Sequence, residues 1–135
     1  MLAPKKVKRR KPFRPDVRGV ANRATAISFG TYGLKAETGG WVKSNQIEAA
    51  RRVIARYIRK GGKTWIRIFP DRAITMKGTQ SVMGSGKGIP DHYIAVVKPG
   101  TMIFELDGIP VAEAKEALTL AGHKFPVKCK FIVKN

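Results

Sequence analysis

A glycine-rich segment with one central lysine is the first place where the residue types of this chain could do chemistry. In Met83-Gly84-Ser85-Gly86-Lys87-Gly88 the glycines would let backbone N–H groups approach a phosphate, and the lysine supplies a positive charge. A nucleotide-binding P-loop would need glycine and serine or threonine where the chain has Ser81 and Gly88, so we expect no nucleotide hydrolysis. Residues 76–91 are instead predicted to form a long loop. This loop is either a plain connector between strands or a segment that binds a phosphate backbone. Lys77 and Lys87 favour the second alternative.

The histidines and the cysteine do not have the spacing of a metal or catalytic site. His92, His123 and Cys129 are far apart in sequence and lack the paired ligands of a zinc site. Cys129 alternates with Val127 and Phe131, which is typical of a core side chain in a strand, and a single cysteine can form no intrachain disulfide. We expect no catalytic residues, no metal and no cofactor.

Arginines at helical spacing form the second candidate site. The apolar residues between Asn45 and Lys60 recur at the helical period, with Asn45 as a plausible start and Gly61-Gly62 as the end. On that helix, Arg52, Arg56 and Arg59 fall together on the face opposite the apolar stripe. Such a face is often simply solvated, but here only Glu48 could balance it, which favours contact with phosphates.

The charge of the whole chain indicates the same partner. The 135 residues carry 27 Lys and Arg against 9 Asp and Glu, a formal charge of +18. A small folded body with that charge needs a polyanion, which is nucleic acid rather than a membrane because no apolar run approaches the length of a bilayer span. Residues 1–23 alone hold nine basic groups against Asp16. They are predicted to be an arm that orders on a polyanion, while the net-acidic stretch 101–122 should lie on another side of the body.

Two helices and six strands are predicted without regular β-α alternation, which favours an α+β fold. The second helix should open at Pro110 and stop at Gly122. Pro99-Gly100 is interpreted as the turn of an antiparallel hairpin. The predicted strands are Thr25–Phe29, Tyr32–Glu37, Lys63–Phe69, His92–Lys98, Thr101–Asp107 and Val127–Val133.

Two tryptophans could stack on RNA bases. Trp65 precedes Ile66 and Ile68 and is interpreted as a core residue. Trp41 follows Gly39-Gly40 in a predicted polar loop, where both an ordinary loop position and an RNA contact stay open.

Several long motifs, in collinear order over the whole chain, resemble the bacterial large-subunit ribosomal protein family L-sixteen. They are Met1-Leu2-Ala3-Pro4-Lys5, Ile27-Ser28-Phe29-Gly30-Thr31-Tyr32-Gly33-Leu34-Lys35-Ala36, Gln46-Ile47-Glu48-Ala49-Ala50-Arg51-Arg52, Lys63-Thr64-Trp65-Ile66-Arg67-Ile68-Phe69-Pro70-Asp71, the glycine-rich hexapeptide, and Phe104-Glu105-Leu106-Asp107-Gly108-Ile109-Pro110. The chain has Val82 where the family commonly has an arginine before its Met-Gly pair.

The resemblance implies an α/β hammerhead-like sandwich of mostly antiparallel strands, in one domain over residues 24–135 behind the arm at 1–23. It implies a structural role in the large ribosomal subunit, bound to ribosomal RNA beside neighbouring ribosomal proteins, without a membrane and without a homo-oligomer. The loop should approach the aminoacyl-site tRNA, or the peptidyl-site tRNA. We expect a cytoplasmic ribosome, with an organellar one as the alternative.

The residues expected to contact RNA form two groups. Those expected to bind ribosomal RNA are Lys5, Lys6, Lys8, Arg9, Arg10, Lys11, Arg14, Arg18, Arg23, Arg52, Arg56, Arg59, Lys60 and Lys63. Those expected in the loop near tRNA are Lys77, Gly84, Ser85, Gly86, Lys87 and Gly88. The alternative function is a free RNA chaperone or ribosome-assembly factor. An RNA-processing enzyme is disfavoured because the acidic residues lie in the least basic part of the chain.

Overall fold

The computed structural model describes residues 2–5, 19–59, 61–76 and 89–134. Two helices and seven strands lie in these ranges. In chain order they are β1 (Tyr32–Ala36), β2 (Gly40–Lys43), α1 (Ser44–Tyr57), β3 (Lys63–Ile66), β4 (Arg72–Met76), β5 (Ile89–Val97), β6 (Met102–Asp107), α2 (Val111–Gly122) and β7 (Cys129–Val133).

The described strands form two sheets in which every pairing is antiparallel. A four-stranded sheet has the order β3-β6-β1-β7, and a three-stranded sheet has the order β2-β5-β4. Helix α2 packs on β7, β1 and β6 of the larger sheet, while α1 packs on α2 and also contacts β2 and β5. The α+β fold predicted from the sequence is confirmed.

The predicted hairpin at Pro99-Gly100 is wrong, because the turn carries the chain from one sheet to the other. Strand β5 pairs with β2 and β4, whereas β6 pairs with β1 and β3. Gly100 has a φ of +95° and donates its N–H to the Ala36 carbonyl at 2.8 Å. The Ala36 N–H in turn donates to the Thr101 carbonyl at 2.8 Å. The turn residues therefore bond to the end of β1, and this link joins the sheets at a corner.

Both predicted helices exist, and α1 differs at its ends. It begins at Ser44, where the Lys43 N–H donates to the Gln46 side-chain oxygen at 2.8 Å, so Asn45 is not the cap. It ends at Tyr57, before the predicted Lys60. The described part of the following turn has Gly61 at a φ of +129°, which is a conformation that suits glycine.

The hydrophobic core lies between the helices and the sheets. Its largest fully buried side chains include Phe104, Leu34 and Leu106 of the four-stranded sheet, with Ile47 and Ile54 of α1. Helix α2 contributes small residues and Leu118, which lets the two helices pack closely. The arm also reaches this core, since Leu2 packs against it and its carbonyl accepts a hydrogen bond from the Ser44 hydroxyl at 2.5 Å.

Five of the six predicted strands overlap observed ones, and two observed strands were missed. The segment around Trp41, predicted as a polar loop, is β2, and β4 was not predicted. The predicted loop at 76–91 is too long at both ends, because β4 runs to Met76 and β5 starts at Ile89. In β7, continuing the alternation of Cys129 and Phe131 predicts that Val133 also points inward, but Val133 is 48% exposed.

The predicted strand Thr25–Phe29 is wrong because its backbone amides bind a buried carboxylate instead of a neighbouring strand. Glu105, in the middle of β6, is fully buried. Its Oε1 accepts the N–H of Phe29 at 2.6 Å and of Gly30 at 2.8 Å, and both its oxygens lie 3.0 to 3.1 Å from the Ser28 N–H. Residues 28–30 thus lie over the face of the sheet as an irregular segment. Gly30 is required there, since a Cβ would come within 2.7 Å of the Leu106 carbonyl oxygen.

A guanidinium completes the surroundings of this carboxylate. Arg67, just after β3, forms an ion pair and hydrogen bond with Glu105 Oε2. Burial alone would raise the pKa of Glu105, but the amides of Gly30, Phe29 and Ser28 together with Arg67 outweigh it, so the pKa lies below its usual value. We name Glu105, Arg67 and the amides of residues 28–30 the carboxylate clamp.

We expect Glu105→Gln to destabilise the fold by about 3–5 kcal/mol, because it leaves the largely buried Arg67 without a counter-charge and places an amide donor against N–H donors. Chemical denaturation at neutral pH measures this. A lowered native pKa also means that the clamp contributes fully above the usual glutamate pKa and is lost as the pH falls through the lowered value. The variant should therefore lose less stability on acidification than the wild type. Glu37→Gln, at an exposed position just after β1, is the control and should change stability by less than about 0.5 kcal/mol.

Candidate nucleic-acid interface

Helix α1 separates its apolar and cationic residues onto two faces, as predicted. Ile47, Ala50 and Ile54 are buried in the core. Arg52, Arg56 and Arg59 are all exposed, Arg59 just beyond the last helical turn. We name these three arginines the arginine face. Their position leaves the guanidinium groups available to a ligand outside the protein.

Glu48 is the acidic residue within α1 that approaches the arginine face. Its closest partner is Arg51, whose Nη2 donates at 2.5 Å, and Arg52 Nε lies farther away at 3.4 Å. The Arg51 hydrogen bond is the main reason that the pKa of Glu48 falls to about 2. The Arg52 side chain remains 73% exposed, so water screens its interaction with Glu48. Sequence reasoning identified Glu48 as the partner of Arg52 and missed its stronger pairing with Arg51.

The C-terminal end of α1 meets the acidic start of α2. Arg56, Arg59 and Tyr57 line a concavity of about 510 Å³ together with Glu113 and Glu116. Burial raises the pKa of Tyr57, and the nearby charge and hydrogen bond of Glu116 raise it further. The acidic and basic parts of the chain are therefore not fully separated. Sequence spacing missed this because the two helices are more than 50 residues apart and only the packing of α2 on α1 joins them.

Three further predicted basic residues are described and exposed: Lys5, Arg23 and Lys63. Lys63 starts β3, directly after the turn that follows the arginine face. Lys5 comes three residues after Leu2, whose carbonyl is bound at the start of α1, so the described beginning of the arm starts beside that helix. Several predicted residues lie outside the described ranges, namely Lys6, Lys8, Arg9, Arg10, Lys11, Arg14, Arg18, Lys60, Lys77, Gly84, Ser85, Gly86, Lys87 and Gly88.

The aromatic residues take positions that the sequence did not distinguish. Trp65 is half-buried and stacks on Phe29 at 6.1 Å between ring centroids, while the Arg67 guanidinium lies 5.2 Å from the Phe29 centroid. Phe29 itself is 59% exposed. These contacts attach the side chain of residue 29 to the same sheet face as the carboxylate clamp. Trp41 is half-buried in β2.

Metal and thiol chemistry find no site among the described residues. No three His, Cys, Asp or Glu side chains in those ranges converge to hold a metal ion. Burial raises the pKa of the Cys129 thiol to about 11, with a smaller effect of Glu37, so the thiol is protonated and unreactive at neutral pH. Neither described helix is both long and apolar enough to span a bilayer.

Comparison with known proteins identifies the family. The family described as "Ribosomal protein L16p/L10e" matches residues 4–132, almost the entire chain. The chain belongs to this ribosomal protein family. One relative of this L16p/L10e chain is the large ribosomal subunit protein uL16c of Cyanidium caldarium, which is 54% identical over 132 residues. That match covers 98% of this chain and 94% of the relative.

Membership in the L16p/L10e family confirms the resemblance that the sequence motifs indicated. It also confirms that the chain is not an enzyme, since the family consists of structural ribosomal proteins.

Proposed function

We propose that this protein is a structural constituent of the large ribosomal subunit and is held there by ribosomal RNA. The observation that carries the proposal is the arginine face. It presents the exposed guanidinium groups of Arg52 and Arg56 on one side of a helix whose opposite side is fixed in the core, with the exposed Arg59 just beyond the end of that helix. Arginine binds phosphate oxygens through paired N–H donors, so a face of this kind fits an RNA backbone.

The balance of charges supports the same role. A formal charge of +18 is unfavourable for the free protein and is neutralised by a polyanion. We propose that the basic arm, residues 1–23, together with Lys60 and Lys63, extends the contact from both ends of α1. Neighbouring ribosomal proteins are proposed as further partners.

Contact with tRNA is proposed for the segment between β4 and β5. Met76 pairs with Ile89, so the segment leaves and re-enters the three-stranded sheet at the same place. Its glycines allow close approach of the backbone to phosphate, and Lys87 offers a charge on a flexible stem.

The cytoplasmic compartment stays a prediction. The alternative is an organellar ribosome, and the similarity to the uL16c protein supports this alternative. A resident ribosomal protein remains with purified large subunits after a high-salt wash, whereas a free RNA chaperone would be released.

The arginine face and the buried face of α1 should respond oppositely to substitution. Replacing Arg52, Arg56 and Arg59 together by alanine should leave stability nearly unchanged, because exposed charges contribute little to folding. The slope of log binding constant against log salt, measured on transcribed large-subunit ribosomal RNA, should become less steep by about 0.7 for each phosphate that is no longer bound, roughly 2 in total. Ile54→Ala should cost about 2–5 kcal/mol of stability and leave the salt slope of the folded fraction intact. An unfolded triple variant beside a stable Ile54→Ala variant would invert the assignment of faces.

The glycine-rich segment should matter for tRNA rather than for assembly. We expect Lys87→Ala, or replacement of residues 81–88 by a short linker, to leave incorporation into large subunits normal and to slow aminoacyl-tRNA accommodation. The paired measurement is the amount of variant in purified subunits and the rate of tRNA entry on ribosomes that contain it. Lys115→Ala, on the exposed side of α2, is the matched control. Normal tRNA entry on fully occupied, segment-replaced ribosomes would reduce the segment to a plain connector.

A further inference from the structure

Two lysines stand directly opposite each other in the four-stranded sheet. In the antiparallel register of β1 and β7, Lys35 pairs with Lys130. Side chains in such a pair lie about 5 Å apart at their Cβ atoms, and like charges at that distance destabilise a sheet. Lys130 is exposed and Lys35 is half-exposed, so both charges are accessible.

A third lysine extends the same surface. Strand alternation puts Lys134 on the face of Lys130, and the Lys134 N–H continues the ladder by donating to the Thr31 carbonyl at 2.7 Å. Between them on that face is the half-buried Ile132. We name Lys35, Lys130 and Lys134 the lysine strip.

Acidic residues of the described chain form no ion pair with this strip. Glu37, two residues after Lys35, lines a cavity on the opposite side of the sheet with Leu34 and Cys129, next to α2. Glu105 on β6 is fully buried and is bound by Arg67 and three backbone amides. Asp107, also on β6, accepts the Thr31 hydroxyl at 2.9 Å, and Thr31 lies opposite Lys134, so one carboxylate stands near that end of the strip. The positive charge is least compensated at Lys35 and Lys130.

Protection of a sheet edge explains only part of the arrangement. Strand β7 is at the edge of the described sheet, and lysines on an edge strand discourage pairing with another chain. That role accounts for Lys130 and Lys134. It does not account for Lys35, which lies on the inner strand β1 and faces Lys130 at a cost to stability.

We propose that the lysine strip binds the phosphate backbone of a second segment of ribosomal RNA. The inference rests on the proposed function and extends it to a new surface. The strip lies on the face of the four-stranded sheet that is turned away from α2, whereas the arginine face belongs to α1, which packs on α2. The sheet therefore stands between the two cationic surfaces. In this proposal the arginine face and the lysine strip hold separate RNA segments, and the protein joins them across its body.

A charge reversal at Lys130 separates RNA binding from edge protection. Lys130→Glu keeps a charge on the edge strand and gives Lys35 a cross-strand partner of opposite charge. We expect the RNA-free variant to gain about 1–4 °C in melting temperature, because repulsion is replaced by attraction. Its salt slope on transcribed large-subunit ribosomal RNA should become less steep by about 0.7–1.4, which corresponds to one or two fewer bound phosphates. Lys115→Glu, on the exposed side of α2, changes the net charge by the same amount. Its salt slope should stay steeper than that of Lys130→Glu.

A second variant tests the inner lysine without touching the edge. Lys35→Gln should make the slope of log binding constant against log salt less steep by about 0.7, while the protein stays monomeric. Combining it with the triple arginine variant should add the two reductions in slope, because the surfaces are separate. If both Lys130→Glu and Lys35→Gln bind RNA as Lys115→Glu does, the lysine strip is only edge protection and the inference is overturned. A wild-type protein whose binding is independent of salt would contradict the proposed function itself.

Discussion

A buried carboxylate costs several kcal/mol unless every one of its hydrogen-bonding positions is used, and Glu105 meets that condition with partners from two distant parts of the chain. Three amides come from residues 28–30 and the guanidinium comes from Arg67. The same contacts explain why the segment before β1 lies flat on the sheet instead of forming a strand. They also bring Phe29 onto Trp65, so that one ionised group organises the face of the four-stranded sheet that α2 leaves uncovered.

The carboxylate clamp covers part of one face of the four-stranded sheet, and α2 covers the other face. The arginine face and the lysine strip therefore lie on the outside of the protein. The arginine face can be exposed because Ile47 and Ile54 anchor the other side of α1. The lysine strip can exist because Leu34 and Ala36, alternating with Lys35, are buried. Stability thus comes from the core and the clamp, while the cationic surfaces oppose it slightly; in our proposal, RNA neutralises them. This division suits a ribosomal protein, whose folded state must present charges that a solitary protein would avoid.

The sequence was sufficient for features that repeat over a short distance. Both helices follow from the spacing of their apolar residues, and the exposed position of Arg52 and Arg56 follows from the same period. It was insufficient where tertiary contacts replaced local preference. Thr25–Phe29 has the composition of a strand, yet its amides serve Glu105, which is about 75 residues away. Pro99-Gly100 marks a turn correctly, but whether a turn joins neighbours in one sheet depends on which strands pair. The approach of Glu113 and Glu116 to Arg56 likewise depends on helix packing.

Residues 28–30 lie against the sheet because their amides bind Glu105. Amide hydrogen exchange, followed by NMR on the uniformly labelled free protein, tests it residue by residue. We predict that the N–H groups of Ser28, Phe29 and Gly30 exchange as slowly as those at the centre of β6, although they belong to no strand. Their protection should fall before that of β6 as the pH is lowered through the depressed pKa of Glu105. Rapid exchange of these three amides at neutral pH, beside a protected β6, would contradict the account.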